Sequence, residues 1–372
     1  MLGGATKVNR EATEGEGPHI ACRHATVVQA SAVRASKLAW AMAWVVLGCG
    51  SSAADEAEGE NATPPVFDYP RDDELRLNHI QMKATHNSYH VEKEGNTVRE
   101  WRYTHAPLDV QLDTQGVRAV ELDVYYDTET DVFGVYHVTQ VDDASNCPEL
   151  SDCLRRIASW SAAHPAHHPV IVQIEIKRGF FPSNRDEYIA KLEETIASAL
   201  PRERLLTPDD VRGDAPTLRE AVLERGWPTL GEARGKVLLV VDNAGDFREA
   251  YTHSLTSLDG RLMFVDSDPE HPFAGFRILN DPFARRDEIE ESVRAGFIVR
   301  TRADADVGRE EGQIEAALSS GAHIVSTDFP VEGGLLPPVQ IPNGTPSRCN
   351  PISAPSSCTS EDIENPEFMN GI

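Results

Sequence analysis

Charged side chains stand two positions apart inside three short apolar segments of this chain. The three pairs are Glu121 and Asp123, Glu175 and Lys177, and Arg300 and Arg302. Alternate side chains of a β-strand point to the same face, so each pair would share one face of its strand. Strands that are buried on both faces are normally continuous apolar runs, so charges within them indicate a functional site.

Histidines and an amide accompany these pairs. His86-Asn87 follows the apolar segment that ends at Thr85, and His137 closes the segment that begins at Val132. Imidazole titrates near neutral pH and can act as a general acid or a general base. Two carboxylates ~4 Å apart repel by about 4 kcal/mol at an effective dielectric near 20, so converging carboxylates need a proton, a cation or a basic partner. Carboxylate and amide oxygens are hard ligands that favour Ca²⁺ or Mg²⁺ over Zn²⁺.

The segments that carry these residues alternate with helical patterns. The apolar positions from Tyr188 to Leu200 have helical spacing, and a second helix is predicted to end at Gly321. This alternation predicts an α/β protein with a (β/α)8 TIM barrel, whose active site would lie at the carboxyl ends of the strands. Eight strands are predicted: His79–Thr85, Arg118–Tyr125, Val132–His137, Pro169–Lys177, Lys236–Asp242, Leu262–Val265, Phe297–Arg302 and Ala322–Thr327.

A structural ion-pair network at the barrel floor is the alternative interpretation of the charged residues. It would join Glu121, Glu175, Lys177 and Arg300. Such a network leaves the histidines at neighbouring strand ends unexplained, so we favour a catalytic metal site.

Five ordered motifs resemble the calcium-dependent phosphatidylinositol-specific phospholipase C family of bacteria. The likeness runs from about Asn78 to Pro330, most of the chain. The motifs are Lys83-Ala-Thr-His-Asn-Ser-Tyr89, the segment from Gln111 to Asp123, Tyr136-His137, the segment from Arg300 to Asp306, and the segment from Ala316 to Pro330. The resemblance implies a TIM-barrel phosphodiesterase that acts on a phospholipid and uses calcium; oxygen ligands alone would also permit magnesium.

The resemblance also implies roles for individual residues. His86 and His137 would be the catalytic histidines, with His137 as the acid to the diacylglycerol oxygen and His86 as base or transition-state stabiliser; the sequence leaves an exchange of these roles open. Asn87, Glu121, Asp123 and Glu175 would bind the metal ion. Lys177, Arg300 and Arg302 would hold phosphate.

Two other functions compete with a phospholipase. A glycerophosphodiester phosphodiesterase would share the barrel and paired histidines, but such enzymes usually begin with His-Arg-Gly, whereas this chain has His86-Asn87-Ser88. A non-catalytic lipoprotein that binds inositol lipids is the third hypothesis. Within the phospholipase hypothesis, Asp242-Asn243 stands where eukaryotic relatives tend to place lysines for ring phosphates. We therefore expect an unphosphorylated inositol headgroup.

The composition excludes other classes of protein. The 372 residues include 60 acidic and 35 basic side chains, a formal charge of −25, which argues against binding nucleic acid or adhering electrostatically to anionic lipid. No apolar run reaches the ~20 residues that span a bilayer. We expect a monomer.

The amino terminus resembles an export signal. Two basic residues, Arg34 and Lys37, precede an apolar run from Leu38 that ends in Val-Leu-Gly-Cys49. This ending resembles a bacterial lipobox, in which the cysteine is lipidated and anchors the protein to the cell envelope. We therefore expect an exported protein that is either anchored at Cys49 or secreted. Because export signals begin near the initiator, we expect residues 1–49 to combine a mis-assigned start, with Val28 or Val33 as the true first codon, and the signal. Amino-terminal sequencing of the precursor tests this.

The remaining chain divides into three predicted parts. Residues 50–74 are small and acidic and would form a tether, residues 75–338 the barrel domain, and residues 339–372 a loop-rich tail. Cys147 with Cys153 and Cys349 with Cys358 form close pairs, which favours two disulfides in an exported chain. Zinc is disfavoured because neither pair is a C-x-x-C.

Six further histidines are not assigned to the site. His164, His167 and His168 lie in a proline-bounded segment that predicts a solvated turn, whereas His90, His105 and His253 are expected at the surface or the barrel rim.

Overall fold

The computed structural model describes residues 67–178 and 184–369. The predicted export signal, Cys49 and residues 50–66 of the predicted tether lie outside the described residues. None of the helices in the described ranges has the length and apolar character needed to cross a bilayer.

The described strands build a parallel barrel. Hydrogen bonding orders its eight strands as β6-β5-β4-β2-β1-β9-β8-β7, and a parallel bridge from Asp266 to Phe276 joins the two ends. The predicted (β/α)8 barrel is therefore confirmed. The strands in chain order are β1 (Ile80–Thr85), β2 (Val117–Asp127), β3 (Val132–Val135), β4 (Val170–Arg178), β5 (Val237–Val241), β6 (Phe264–Val265), β7 (Phe276–Ile278), β8 (Ile298–Arg302), β9 (Ile324–Thr327) and β10 (Arg348–Cys349).

Helices connect most of the barrel strands. The predicted helix from Tyr188 to Leu200 is confirmed as α3, and Gly321 follows α9 with a φ of 78°, which a glycine adopts without strain. The helices are α1 (Leu108–Thr114), α2 (Leu150–Ala163), α3 (Arg185–Ala199), α4 (Pro208–Arg212), α5 (Leu218–Glu220), α6 (Leu230–Ala233), α7 (Gly245–Tyr251), α8 (Arg286–Ala295), α9 (Gln313–Ser319) and α10 (Ser360–Ile363). Residues such as Leu154 of α2 and Leu192 of α3 are buried in the same apolar core as the strands.

Two strand assignments differ from the prediction. The segment Val132–Val135 pairs antiparallel with β2 and is not a barrel strand, because four residues between the two strands leave no room for a helical crossover. The eighth barrel strand is Phe276–Ile278, which was not among the predicted strands. It is only three residues long, too short to show an alternating pattern.

The segment after Pro338 packs against the amino-terminal end of the barrel. Strand β10 pairs antiparallel with the start of β1. Beyond it, Glu364 accepts two hydrogen bonds, of 2.8 and 2.9 Å, from the guanidinium of Arg118 at the start of β2, and both side chains are buried. The two predicted disulfides, Cys147–Cys153 and Cys349–Cys358, are both present.

The end of the predicted tether also contacts the barrel. Asp72 accepts hydrogen bonds of 2.8 and 2.6 Å from Arg234, and the same guanidinium lies 3.4 Å from the ring centre of Tyr69. Residues 67–74 are therefore bound to the barrel domain.

The expected solvated histidine turn is wrong for two of its three histidines. His167 and His168 are fully buried, and each Nε2 lies 2.8 Å from a serine hydroxyl, those of Ser161 and Ser347. The turn is covered by α2, which directly precedes it, and by the carboxyl-terminal segment, which lies about 180 positions further along the chain. His253 is exposed, as predicted.

Candidate active site

Two neighbouring parallel strands position the predicted carboxylates. Glu121 and Asp123 share one face of β2, as their spacing predicts, and both are buried. The register of β2 against β4 places Asp123 opposite Glu175. Carboxylates from two strands therefore converge at the carboxyl ends of the strands, where TIM barrels build their sites.

A fourth carboxylate, that of Asp242, joins this group and was not among the predicted ligands. Carboxylate oxygens of Glu121, Glu175 and Asp242 lie within 4.8 Å of one another, and Gln173 donates a 2.9 Å hydrogen bond to Asp242. Burial, together with Glu121 and Glu175, raises the pKa of Asp242 to about 7. Its position directly after an apolar strand was a signal for this role, because that is where Asp242 meets the other strand ends.

Asp123 and Glu175 share the ammonium group of Lys177. The Nζ atom lies 3.0 Å from Asp123 and 2.8 Å from Glu175. Burial raises the pKa of Asp123 to about 7, and Lys177 only partly opposes this. Lys177, predicted to bind phosphate, is thus paired with two predicted metal ligands.

Arg300 is likewise paired with a predicted metal ligand. Its guanidinium donates a 2.5 Å hydrogen bond to Glu121 and others to Asn280 and Ser326, and it is buried. Although burial alone would raise the pKa of Glu121, the positive charges led by Arg300 outweigh it and hold that pKa below its usual value. Arg302, also predicted to bind phosphate, is close enough to contribute to this effect.

His86 directly follows β1 and has its own carboxylate. Its Nδ1 is 2.7 Å from Asp328, which directly follows β9. The next residue, Asn87, has a φ of 44°, a conformation that asparagine tolerates better than most residues. Its amide nitrogen donates to the hydroxyl of Tyr103 at 3.0 Å, and its carbonyl oxygen accepts from Tyr89 at 3.4 Å.

His137 follows β3 and also contacts a carboxylate. Its Nδ1 is 2.8 Å from Asp142, and its backbone carbonyl accepts a 2.8 Å hydrogen bond from Tyr125. Burial lowers the pKa of His137, with Lys177 and His90 acting in the same direction and Asp142 opposing them. In both histidines Nδ1 is bound to a carboxylate, which leaves Nε2 to exchange protons with a substrate.

The expectation that His90 and His105 lie at the surface or rim is wrong. Both are buried. His105 contacts the backbone oxygen of His86 at 2.9 Å through Nε2, and His90 contacts Asp142. Both lie close to His86 or to the partner of His137 because the chain after β1 folds back on itself, with the backbone of His105 donating to that of His90 at 2.9 Å.

The donor set fits a hard divalent cation. Its predicted ligands are oxygen atoms of Asn87, Glu121, Asp123 and Glu175, and Asp242 adds one more carboxylate. Burial raises the pKa of Asp123 and of Asp242 to about 7, and a bound cation would favour the ionised form of both carboxyls. Calcium, which takes six to eight oxygen ligands, suits this arrangement.

Enzymes from two bacteria are among the solved structures that share this fold. The calcium-dependent phosphoinositol-specific phospholipase C from Pseudomonas sp, solved in an apo crystal form and with myoinositol, is 20% identical to this chain. The match covers 70% of this chain and 93% of that one, with a TM-score of 0.54. The Ca²⁺-dependent enzyme from Streptomyces antibioticus is 19% identical; the match covers 69% of this chain and 95% of that one, with a TM-score of 0.55.

A family model identifies the chain more directly than these structures do. The model for phosphoinositide phospholipase C, Ca²⁺-dependent, matches residues 75–135 and 130–351, whereas no curated protein matches. The glycerophosphodiester and non-catalytic alternatives gain no support from it. The chain belongs to the family of Ca²⁺-dependent phosphoinositide phospholipases C.

Proposed function

We propose that this protein cleaves phosphatidylinositol, or a closely related glycerophosphoinositol lipid, to diacylglycerol and an inositol phosphate, with calcium as cofactor. One observation carries the proposal beyond family membership. Two histidines, His86 and His137, are each bound through Nδ1 to a carboxylate at the carboxyl ends of the strands, and the same ends carry the acidic cluster of Glu121, Glu175 and Asp242. This arrangement supplies a proton acceptor, a proton donor and a cation site together.

The two histidines account for the proton transfers. The inositol 2-hydroxyl attacks phosphorus, and its proton passes to Nε2 of His86. The bond from phosphorus to the glycerol oxygen breaks, and Nε2 of His137 donates the proton that this oxygen needs. Asp328 and Asp142 hold the two Nδ1–H groups and so stabilise each imidazole when it is protonated.

The acidic cluster would hold the calcium ion. We assign Asn87, Glu121, Asp123 and Glu175 as ligands and add Asp242, because its carboxylate lies within 4.8 Å of those of Glu121 and Glu175. Bound calcium supplies positive charge that acidifies the attacking hydroxyl and offsets charge on the phosphoryl oxygens. Lys177 would be released from two carboxylates when the ion binds, and with Arg300 and Arg302 it would then be available to the phosphate.

The headgroup that fits best is inositol without ring phosphates. Asp242 adds negative charge where ring phosphates would need cations, and Asn243 is engaged with the backbone of Ile176 through both ends of its amide. The solved complex of the Pseudomonas sp enzyme contains myoinositol, which supports an inositol substrate.

We further propose that the protein is exported and anchored to the cell envelope through a lipid on Cys49, as a monomer. The support is the apolar run that ends in Val-Leu-Gly-Cys. Metabolic labelling with radioactive palmitate tests the anchor: wild type should be labelled and sediment with membranes, and Cys49→Ala should be unlabelled. Equal labelling of wild type and Cys49→Ala would refute the lipid anchor. Light scattering of the detergent-solubilised protein measures its molar mass and tests whether it is a monomer.

Hydrolysis of defined vesicles tests the activity. Phosphatidylinositol vesicles should release diacylglycerol, and phosphatidylcholine vesicles should not. A chelator should abolish release and added calcium should restore it, with magnesium as the comparison. His137→Ala should lower the rate about 10²- to 10⁴-fold, while His253→Ala, which removes an exposed histidine, serves as the matched control. Release of glycerol phosphate from glycerophosphoinositol without release of diacylglycerol would instead support the glycerophosphodiesterase hypothesis.

A further inference from the structure

One buried histidine near the site has no role in the proton transfers described above. His90 is fully buried and lies three residues after Asn87. Its Nδ1 is 3.0 Å from the backbone oxygen of Tyr103, and its Nε2 is 3.0 Å from both carboxylate oxygens of Asp142. The same carboxylate binds Nδ1 of His137 at 2.8 Å. Asp142 is therefore shared between a buried histidine and the histidine that faces substrate.

The partners of the two ring nitrogens of His90 define its hydrogen bonds. A backbone carbonyl accepts hydrogen bonds and cannot donate them, so Nδ1 of His90 carries the hydrogen that points to Tyr103. The contact between Nε2 and Asp142 then also contains a hydrogen, on one partner or the other. His90 and Asp142 are thus linked by a direct hydrogen bond inside the protein, where an unpaired carboxylate would be costly.

His90 is held far more firmly than His137. Its ring stacks on that of Tyr103 with a centroid distance of 4.3 Å, and its backbone N–H donates to Asn87 at 2.8 Å. The side chain of His137 is instead about a quarter exposed. Among residues 67–178 and 184–369, these two imidazoles are the groups that hydrogen bond to the Asp142 side chain. The firmly held imidazole of His90 therefore fixes the orientation of the Asp142 carboxylate.

The loop that carries Asp142 is fastened to the same segment. The backbone of Asp142 forms two hydrogen bonds with Val138, of 2.8 and 2.9 Å, and Asn146 donates from its backbone to Tyr89 at 2.8 Å. Cys147 then begins the disulfide to Cys153. The loop thus brings its carboxylate to His90 with little freedom.

We propose that His90 is a positioning residue for phosphodiester cleavage. It fixes the Asp142 carboxylate, and that carboxylate holds Nδ1 of His137 so that Nε2 faces the leaving glycerol oxygen. This inference rests on the proposed function and adds to it a residue that never touches substrate. Tyr103 extends the link, since its backbone oxygen binds His90 and its hydroxyl binds the amide of Asn87, a proposed calcium ligand.

Two amide substitutions separate positioning from a structural role. In His90→Gln the side-chain nitrogen can take the place of Nε2 and donate to Asp142. In His90→Asn the shorter side chain can take the place of Nδ1 and donate to Tyr103, but it cannot reach Asp142. Both replace a buried imidazole by an amide, so a purely structural role would affect the two variants alike.

Two substrates with different leaving groups provide the decisive measurement. Phosphatidylinositol releases a basic alkoxide that needs a proton from His137, whereas 4-nitrophenyl inositol phosphate releases a weakly basic phenolate that does not. We expect His90→Asn to lower kcat on phosphatidylinositol on the order of 10- to 100-fold, as for other partners that orient a functional imidazole. On the aryl ester the loss should be below about threefold, KM should be little changed, and His90→Gln should retain most activity on both.

The outcomes distinguish this inference from the proposed function. Equal losses on both substrates, or equal losses in His90→Asn and His90→Gln, would overturn the positioning role. If His90→Asn does not fold, as judged by thermal unfolding, Asp142→Asn must show the same substrate-dependent loss, and its absence would also overturn the role. Wild-type protein that cleaves neither substrate would refute the proposed function. Loss on both substrates in His137→Ala would refute the acid assignment alone.

Discussion

Nδ1 of His86 lies 2.7 Å from a carboxylate oxygen of Asp328, although 242 positions separate the two residues in the chain. Asp328 is buried and also accepts a 3.2 Å hydrogen bond from the backbone of Val307. The contact joins the end of β1 to the end of β9, two strands that are neighbours in the barrel. The pairing of β9 with β1 therefore completes the first histidine–carboxylate pair.

Removing the charge of Asp328 should impair proton transfer at His86. In Asp328→Asn an amide replaces the carboxylate that orients the imidazole and stabilises its protonated form, so we expect kcat to fall about 10²-fold with a small change in KM. Initial rates on phosphatidylinositol vesicles measure this. Asp306→Asn, an exposed aspartate in a nearby loop, is the control. Unchanged kcat in Asp328→Asn would show that this contact has no part in catalysis.

Removing Asp242 should weaken calcium binding. Affinity in oxygen-ligand sites depends on the number of charged ligands, so Asp242→Asn should raise the dissociation constant at least about tenfold. Isothermal titration calorimetry with the metal-free protein measures this without any substrate. Asp268→Asn, exposed and just beyond β6, should bind calcium like the wild type. Equal affinities for wild type and Asp242→Asn would exclude Asp242 from the site.

The stability of the calcium-free protein should fall as pH rises. Burial raises the pKa of Asp123 and of Asp242 from 3.8 to about 7. Between these values the native state binds more protons than the unfolded chain, so the free energy of unfolding decreases as pH increases. Above pH 7 both carboxyls are ionised and the destabilisation is complete.

Urea unfolding at about pH 5 and about pH 8 checks this. With chelator, the wild type should be less stable at the higher pH, and bound calcium should reverse the trend because it binds the ionised carboxylates. The double variant Asp123→Asn, Asp242→Asn should show a flatter profile. The same slope in that variant would assign the pH dependence to other groups.

Lys177 should compete with calcium. Its ammonium contacts Asp123 and Glu175 at 3.0 and 2.8 Å, so Lys177→Met should tighten calcium binding while it lowers kcat/KM through the loss of a phosphate contact. The test is that calcium affinity rises while kcat/KM falls. Calorimetry measures calcium binding, and vesicle assays measure activity. Lys191→Met, on α3, provides the control. Weaker calcium binding in Lys177→Met would contradict the competition.

The buried pair of Arg118 and Glu364 should support stability without affecting catalysis. Glu364→Gln leaves an uncompensated guanidinium in the interior, so we expect the free energy of unfolding to fall by about 3 to 5 kcal/mol. The pair lies at the amino-terminal end of the barrel, so kcat of the folded protein should be unchanged. Urea unfolding measures the loss, with exposed Glu361→Gln as control. Wild-type stability in Glu364→Gln would contradict the prediction.

Local sequence patterns predicted much of the fold and several site residues. Glu121 and Asp123 could be placed on one face of a strand because the period of two depends only on adjacent residues. Glu175 could be placed at a strand end because an apolar run stops just beyond it. The short spacing within each cysteine pair likewise predicted which cysteines bond to each other, and both predicted disulfides are present.

Patterns of this kind failed where a strand was very short, or where a residue is buried by a segment far away in the sequence. Strand β7 has three residues and shows no alternation. His167 and His168 lie in a segment whose prolines predict a solvated turn, yet the carboxyl-terminal segment, nearly 180 positions further along the chain, contributes Ser347 to their burial. The residues on either side of these histidines in the sequence do not predict such a contact.

The sequence by itself determined which residues stand at the ends of buried strands, since apolar runs and their charged interruptions are local properties. Only the tertiary structure decided which of these residues meet. Asp328 reaches His86 because β9 pairs with β1, and Asp242 reaches Glu175 because β5 pairs with β4. Asp142 reaches His137 and His90 because its loop folds back on the segment after β1. Each contact depends on which distant strands and loops become neighbours in the folded barrel. The spacing of residues along the sequence does not specify this.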